Sequence, residues 1–353
     1  MIRYYYEDTV VKDPTQYLEF HYGLTKKTIS EISNNVTLVG TVLTVVNLKS
    51  RLEWIESIYI KNSILIVDCS TEAIPLQVLN ILDDWCKKKD IRYVVITSAL
   101  NTNRRVANEI FHPMFFKYKP ITQIDILNRT KKYTCFARLI NGREHRLLLI
   151  QELYRLGLLE KGVITCGSGN TDKELDEYKS NTLLDREFQK LLPIRIENKL
   201  ANRYESSNFN LENIELSQFN LILESSYEHF SSEETNLRYC HGWTRLFFTE
   251  KSAKCINSFQ IPIWVAPKGF VQQMRELKFD VFDDIVNHSY DNIENPEFRL
   301  KAVANEVKRL CNTPLNNPEL NKRLYNNTVV LKTLEETFKE QFIKNITDIL
   351  ITS

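Results

Sequence analysis

ILIVDCSTEAIPLQVLNILDDWCKKKDIRYVVITS, residues 64–98, decides the fold. Residues 64–68 are an unbroken apolar run that ends in an acid, Asp68. That pattern suits a strand buried on both faces, with a polar residue where the strand leaves the sheet. Val78, Ile81, Leu82 and Trp85 then recur at helical spacing. Lys87, Lys88 and Lys89 follow, where cations complement the carboxyl end of a helix. RYVVITS, residues 92–98, is a second buried strand. Strand, helix and strand in this order imply a parallel sheet with a right-handed crossover, so the fold class is α/β.

Upstream, residues 36–47 and 58–69 are rich in β-branched side chains and read as strands. Downstream of the Asn-rich turn at 101–103, residues 104–112 are expected to form a short helix and 120–127 a strand. The polar stretch NRTKK at 128–132 marks a boundary, because the pattern restarts behind it. A strand at 133–139 leads to an amphipathic helix at 144–156, with Gly157 as its C-cap, and to a strand at 163–166. Residues 171–216 are polar and are expected to hold a helix or two in an insertion. Strands are expected at 219–225 and 261–265, and helices at 249–259, 270–277, 281–287 and 296–311. Residues 317–351 form one long helix or a broken pair. The expected architecture is therefore two Rossmann-like domains, 1–130 and 131–316, facing a cleft where ligands meet strand carboxyl ends.

Composition narrows the function classes. The chain has 353 residues and a formal net charge of +1, which demands no polyanionic partner. Seven cysteines form no CxxC pair and are odd in number, so reduced thiols in a cytoplasmic protein are expected and a structural zinc is not. The N-terminus lacks an apolar core of the signal-peptide kind, and no run approaches the roughly 20 apolar residues of a membrane span. Only 9 glycines argue against a Gly-rich phosphate loop. Abundant Asn, Lys and Ile have AT-rich codons, which suits an AT-rich bacterium or a phage, and in the latter case the host cytoplasm. Segment 87–132 interleaves Lys and Arg with Phe111, Phe115, Phe116 and Tyr118. Such a pattern suits a nucleic-acid groove, or an exposed basic face above core aromatics.

Three segments carry a family resemblance: YTCFARLINGREHRLLLIQELYRLGLLEKG (133–162), FNLILES (219–225) and FFTEKSAKCINSFQIPIWVAPKGFVQQMRELKFDVFDDIVNHSY (247–290). Together they resemble the donor domain of GT-B glycosyltransferases of the fucosyltransferase and exostosin-like groups, and glycosyltransferase-like proteins of phages and large viruses. The resemblance implies a C-terminal segment, 317–353, that returns to the N-terminal domain. It also implies that T-E-K opens a helix, with Thr249 as N-cap, Glu250 on the donor ribose and Lys251 on the diphosphate. A helix N-terminus with an adjacent Lys is an anion site on physical grounds as well. Arg143, His145 and Arg146 stand at a helix start, where an Arg of related enzymes meets the donor phosphates, and Glu224 resembles a Glu that precedes T-E-K. This sequence departs from the viral pattern at Lys254-Cys255, where a Pro is common.

The expected activity is transfer of a sugar from a nucleotide-diphosphate donor to a hydroxyl of a glycan or of a hydroxylated DNA base. Asp68 and Glu72, at the end of a strand in the N-terminal domain, are the candidates for the catalytic base. Asp83-Asp84 and Asp283-Asp284 both fall in predicted helices and no DxD motif is present, so no metal and no cofactor are expected. The alternative is a non-catalytic nucleic-acid-binding or virion-associated phage protein that retains the fold.

Overall fold

The structure is a computed structural model that describes residues 2–6, 9–10, 36–40, 47–61, 63–69, 76–98, 109–112, 125–137, 144–166, 184–196, 217–224, 227, 246 and 248–351. The chain is α/β and forms two compact units. The first comprises Met1–Lys117, Trp243–Phe248 and Lys332–Ser353; the second comprises Tyr118–Gly242 and Thr249–Leu331.

In the first unit, strands β1 (Ile2–Tyr6), β2 (Thr9–Val10), β3 (Val36–Gly40), β4 (Ile64–Asp68), β5 (Tyr93–Thr97) and β6 (Glu109–Phe111) form a sheet of order β2-β1-β3-β4-β5-β6. All pairings are parallel except β1 with β2. Helix α1 (Leu48–Ile58) follows β3, and α2 (Leu76–Lys88) follows β4. Every residue of β3, β4 and β5 is buried, as strands covered on both faces require. On one face Val39, Val67 and Val95 stand in register and pack with Leu52 and Ile55 of α1 and Val78 and Leu82 of α2. Helix α2 ends with Asp90 at φ 54°, and the Ile91 N–H returns to Cys86 O at 2.9 Å. That is the Schellman closure with a non-glycine at its left-handed position.

Two local expectations give way here. Residues 109–111, expected to be helical, form β6, because they pair with β5 and the Thr97 hydroxyl bonds the Glu109 carboxylate at 2.6 Å. Residues 126 and 127, the end of the strand expected at 120–127, lie instead in a 3-10 turn, Ile126–Asn128, whose Leu127 N–H is capped by the Asp125 carboxylate. In the first case the partner strand outweighs the local pattern, and in the second a local carboxylate cap does.

The second unit contains β7 (Lys131–Ala137), α3 (Glu144–Arg155), β8 (Gly162–Cys166), α4 (Arg186–Gln189), β9 (Ile194–Ile196), β10 (Ser217–Leu223), α5 (Glu250–Asn257), β11 (Ile261–Val265), α6 (Phe270–Glu276) and α7 (Pro296–Cys311). Its sheet runs β11-β10-β7-β8-β9, parallel except for β9. The chain builds outward from β7 to β8 and β9, then returns to the other side of β7 with β10 and β11. This is the doubly wound order, and its topological switch lies between β7 and β10. Pro262 sits in β11, an end strand of the described sheet, where a missing ladder donor is tolerated. Gly157, at φ 68°, closes α3 through Gly157 N–H to Tyr154 O and Leu158 N–H to Leu153 O.

Residues 281–287, expected to be helical, are an irregular turn with Phe282 at φ 63°. Asp283 and Asp284 therefore lie in a turn; Asp283 pairs with Arg275, and Asp284 with Arg323. The last helix, α8 (Leu320–Ile351), is unbroken and begins in the second unit. From Lys332 onward it belongs to the first, where Phe338 meets Phe111 edge-on at 4.9 Å and Phe342 meets His112 at 4.3 Å. Among the described residues no helix is long and apolar enough to cross a membrane.

Candidate functional site

The carboxyl end of β10 carries a buried acid. Glu224 is 1% exposed, and its backbone N–H extends the ladder to Val265 O at 3.1 Å. The Thr249 hydroxyl donates to its Oε2 at 2.5 Å and the Ser252 hydroxyl to its Oε1 at 2.6 Å. Trp264 Nε1, on β11, donates to Ser252 Oγ at 3.0 Å. A carboxylate in this environment is costly unless both oxygens are bonded. Burial pushes the Glu224 carboxyl above its usual range, while the Lys251 charge and the Ser252 and Thr249 hydroxyls pull it back.

Thr249 has the extended backbone of an N-cap, and its hydroxyl oxygen accepts the Lys251 N–H at 3.2 Å. Glu250 and Lys251 follow, with side chains 18% and 17% exposed and an Oε1 to Nζ distance of 2.9 Å. Burial works against ionised Glu250, yet Lys251 and Lys254 hold its carboxyl below the usual range. Burial lowers the Lys254 ammonium, against the pull of Glu250.

Helix α3 meets the same strand end. His145 Nε2 lies 3.1 Å from Glu224 O, and Arg146 Nη2 donates to Leu223 O at 3.4 Å. Both side chains are buried, although they stand in the first turn. The His145 ring stacks on Tyr227 at 4.8 Å and 11°, and the Arg299 guanidinium lies 5.0 Å from the same ring.

Six sequence candidates therefore converge: His145, Arg146, Glu224, Thr249, Glu250 and Lys251 gather at the carboxyl end of β10, beside the switch between β7 and β10. Doubly wound sheets take ligands at that edge. Asp68 is the last residue of β4, buried, and belongs to the first unit. Arg143 and Glu72 lie outside the described residues, as does the basic segment 104–119 apart from 109–112.

Ser252, Trp264, Tyr227 and Arg299 were not singled out by sequence. Ser252 had one legible signal, a hydroxyl one helical turn after Thr249. Arg299 reads as an ordinary helix surface residue, yet it is 1% exposed and bonds Ile293 O at 2.6 Å.

Two other places are already filled. The N-terminus of α6 is closed by Asp291, whose carboxylate accepts the Val271 and Gln272 N–H groups at 3.1 Å each. An open depression of about 530 Å³, lined by Arg275, Asp283, Asn287, Ser289 and Arg309 among others, has its arginines matched by Asp283 and Glu306. Among the described residues no three His, Cys, Asp or Glu side chains gather as a metal site requires.

No family model matches the sequence. No curated protein matches it either. Among solved structures it is similar to an α,α-trehalose 6-phosphate synthase from Burkholderia multivorans, at 12% identity and a TM-score of 0.44, over 97% of this chain and 77% of that one.

Proposed function

We propose that this chain transfers a sugar from a nucleotide-diphosphate donor to a hydroxyl acceptor, and that the second unit holds the donor. The observation that carries this reading is the convergence of Glu224, Thr249, Glu250 and Lys251 at the switch-point end of a doubly wound sheet. That edge is where such sheets bind nucleotides. The first turn of α5 offers a partly exposed ammonium next to a partly exposed carboxylate.

In this reading Lys251 and the positive end of α5 stabilise the departing diphosphate, since charge placed in advance where charge develops lowers the barrier. Glu250 accepts the ribose hydroxyls. Arg146 adds positive potential at the strand end, and His145 and Arg146 hold the backbone of residues 223 and 224 in place. Glycosyl transfer also needs a base for the acceptor hydroxyl. Asp68, at the end of β4, is the carboxylate we assign to it, with Glu72 as its neighbour in sequence. The acceptor is a glycan or a hydroxylated DNA base, and salt separates the two. Affinity for DNA falls steeply as salt rises, whereas affinity for a neutral glycan hardly changes.

The test is a panel of nucleotide sugars incubated with the protein, with release of nucleoside diphosphate measured with and without acceptor. Release from one donor, abolished in Lys251→Ala, supports the reading. No binding and no turnover across the panel would refute it.

A further inference from the structure

The two hydroxyls on Glu224 have a fixed direction. Thr249 Oγ1 already accepts the Lys251 N–H, and Ser252 Oγ already accepts the Trp264 indole N–H. Each hydroxyl proton is thereby turned toward the carboxylate, at 2.5 and 2.6 Å. Hydrogen bonds of this length to an ionised acceptor are the strong, charge-assisted kind. The spacing matters as much as the distances. Thr249 and Ser252 flank Glu250 and Lys251, so the bonds to Glu224 grip α5 on both sides of the two partly buried charges. Trp264 reaches in from β11 and makes the clamp three-sided. Thr249, Ser252, Glu224 and Trp264 are all 1% exposed or less, so water does not share these bonds.

We infer that Ser252 and Trp264 are positioning residues: through Glu224 they fix the first turn of α5 and set the direction in which Glu250 and Lys251 face a nucleoside diphosphate. The inference rests on the reading above that those two side chains meet the donor. Neither Ser252 nor Trp264 touches the ligand. Their action depends on Glu224 being ionised, because a protonated carboxyl must donate to one of the hydroxyls it otherwise accepts from. One contact then loses its charge assistance and the grip slackens.

The charges that surround Glu224 are known from each neighbouring element. Helix α5 presents Lys251 and Glu250, with Lys254 one turn on. Helix α3 presents His145, at the Glu224 carbonyl, and Arg146, at the Leu223 carbonyl. Arg299 of α7 reaches Tyr227, and β11 contributes the neutral Trp264. Burial raises the Glu224 carboxyl and the hydroxyls lower it, so loss of a hydroxyl moves its titration upward.

The experiment uses the full chain as wild type, Ser252→Ala, Trp264→Phe and Glu224→Gln. The Glu224 carboxyl band is located by infrared difference against Glu224→Gln and titrated without ligand. Affinity for GDP, UDP, ADP and CDP is measured across the same pH range. Ser252→Ala is expected to raise the carboxyl midpoint. It is also expected to weaken nucleoside diphosphate binding about ten-fold and to move the acid limb of binding upward by the same amount as the midpoint. Trp264→Phe keeps an aromatic side chain, gives up some buried volume and removes the donor, so it serves if Ser252→Ala folds poorly; it shifts both quantities in the same direction by less. A uniform loss of affinity at every pH, or a carboxyl midpoint that neither variant moves, overturns the inference while the donor site stands. Absence of nucleoside diphosphate binding in the wild type overturns the donor site and the inference with it.

Discussion

Thr249 and Glu224 are 25 residues apart in the chain and 2.5 Å apart at Oγ1 and Oε2. The same Thr249 oxygen caps α5 by accepting the Lys251 N–H. One hydroxyl therefore joins the start of a helix to the end of a buried strand. Thr249→Val keeps the shape and removes that hydroxyl. The change should cost about 1–3 kcal/mol, the penalty for a buried polar group left short of a partner. Urea unfolding measures it. A loss below about 0.5 kcal/mol, the range of ordinary surface changes, would show that the bond is not a structural tie.

Two glycines of the second unit should fail for different reasons. A Cβ on Gly162 would stand 2.5 Å from the Tyr133 ring, which is 1% exposed and bonded through its hydroxyl to Leu158 O. Gly162→Ala should cost about 1–3 kcal/mol from overpacking, and Tyr133→Leu in the same chain should recover part of it. Nothing lies within 4 Å of a Cβ on Gly157, but its φ is 68°. Gly157→Ala should cost about 1 kcal/mol with no rescue from any neighbour. Thermal melts of the two glycine variants, each alone and with Tyr133→Leu, decide it; equal rescue of both would show that the Tyr133 ring is not what Gly162→Ala strikes.

The fold explains itself unevenly from sequence. The strands Ile64–Asp68, Tyr93–Thr97 and Ile261–Val265 are legible because burial on both faces selects near-continuous apolar runs. Helix α7 is legible because Asn295 caps it, Pro296 opens it and an apolar stripe follows. Residues 109–111 and 281–287 are not, since the first takes its structure from β5 and the second from Arg275 and Arg323. Arg129 falls in a polar stretch that reads as a surface boundary. It is 5% exposed, and its guanidinium bonds Ser217 O and Ser258 O at 2.9 Å each. At the site, T-E-K was legible as a helix start; the clamp on Glu224 was not, because Trp264 looks like any core aromatic in a strand.

The Arg323 fork makes an acid-sensitive contact. It bonds Asp280 and Asp284, and its guanidinium lies 4.9 Å from the Phe282 ring. The hydrogen bond from Arg323 holds the Asp284 carboxyl below its usual range. A depressed carboxyl contributes stability above its unfolded pKa of about 3.9 and loses it as pH falls through the folded value. Arg323→Ala should therefore destabilise the protein at neutral pH by about 0.5–1 kcal/mol and flatten the loss of stability below pH ~4. Parallel stability curves for wild type and variant would refute the assignment.

The end of α8 is held in the first unit by aromatic contacts. Phe342 is fully buried against His112, and Phe338 meets Phe111. Phe342→Ala should cost about 3–5 kcal/mol, as large aromatic truncations do. Amide hydrogen exchange should quicken at residues 338–348 and in β6 together. Faster exchange confined to the helix would mean that its end does not support the sheet.

Under the proposed function Lys251, at the start of α5 beside Glu250, holds the diphosphate of the donor. Calorimetric titration of wild type and Lys251→Ala with GDP, UDP, ADP and CDP tests it most directly. One nucleoside diphosphate should bind the wild type, and the variant should bind it about 1.5–3 kcal/mol more weakly, the scale of a hydrogen bond to a charged group. The variant should stay folded with a lowered melting temperature, because the mostly buried Glu250 loses its ion-pair partner and keeps the Lys254 charge. Equal affinity in the two proteins, or affinity lost only in step with a collapsed melting temperature, would rule out Lys251 as the diphosphate ligand.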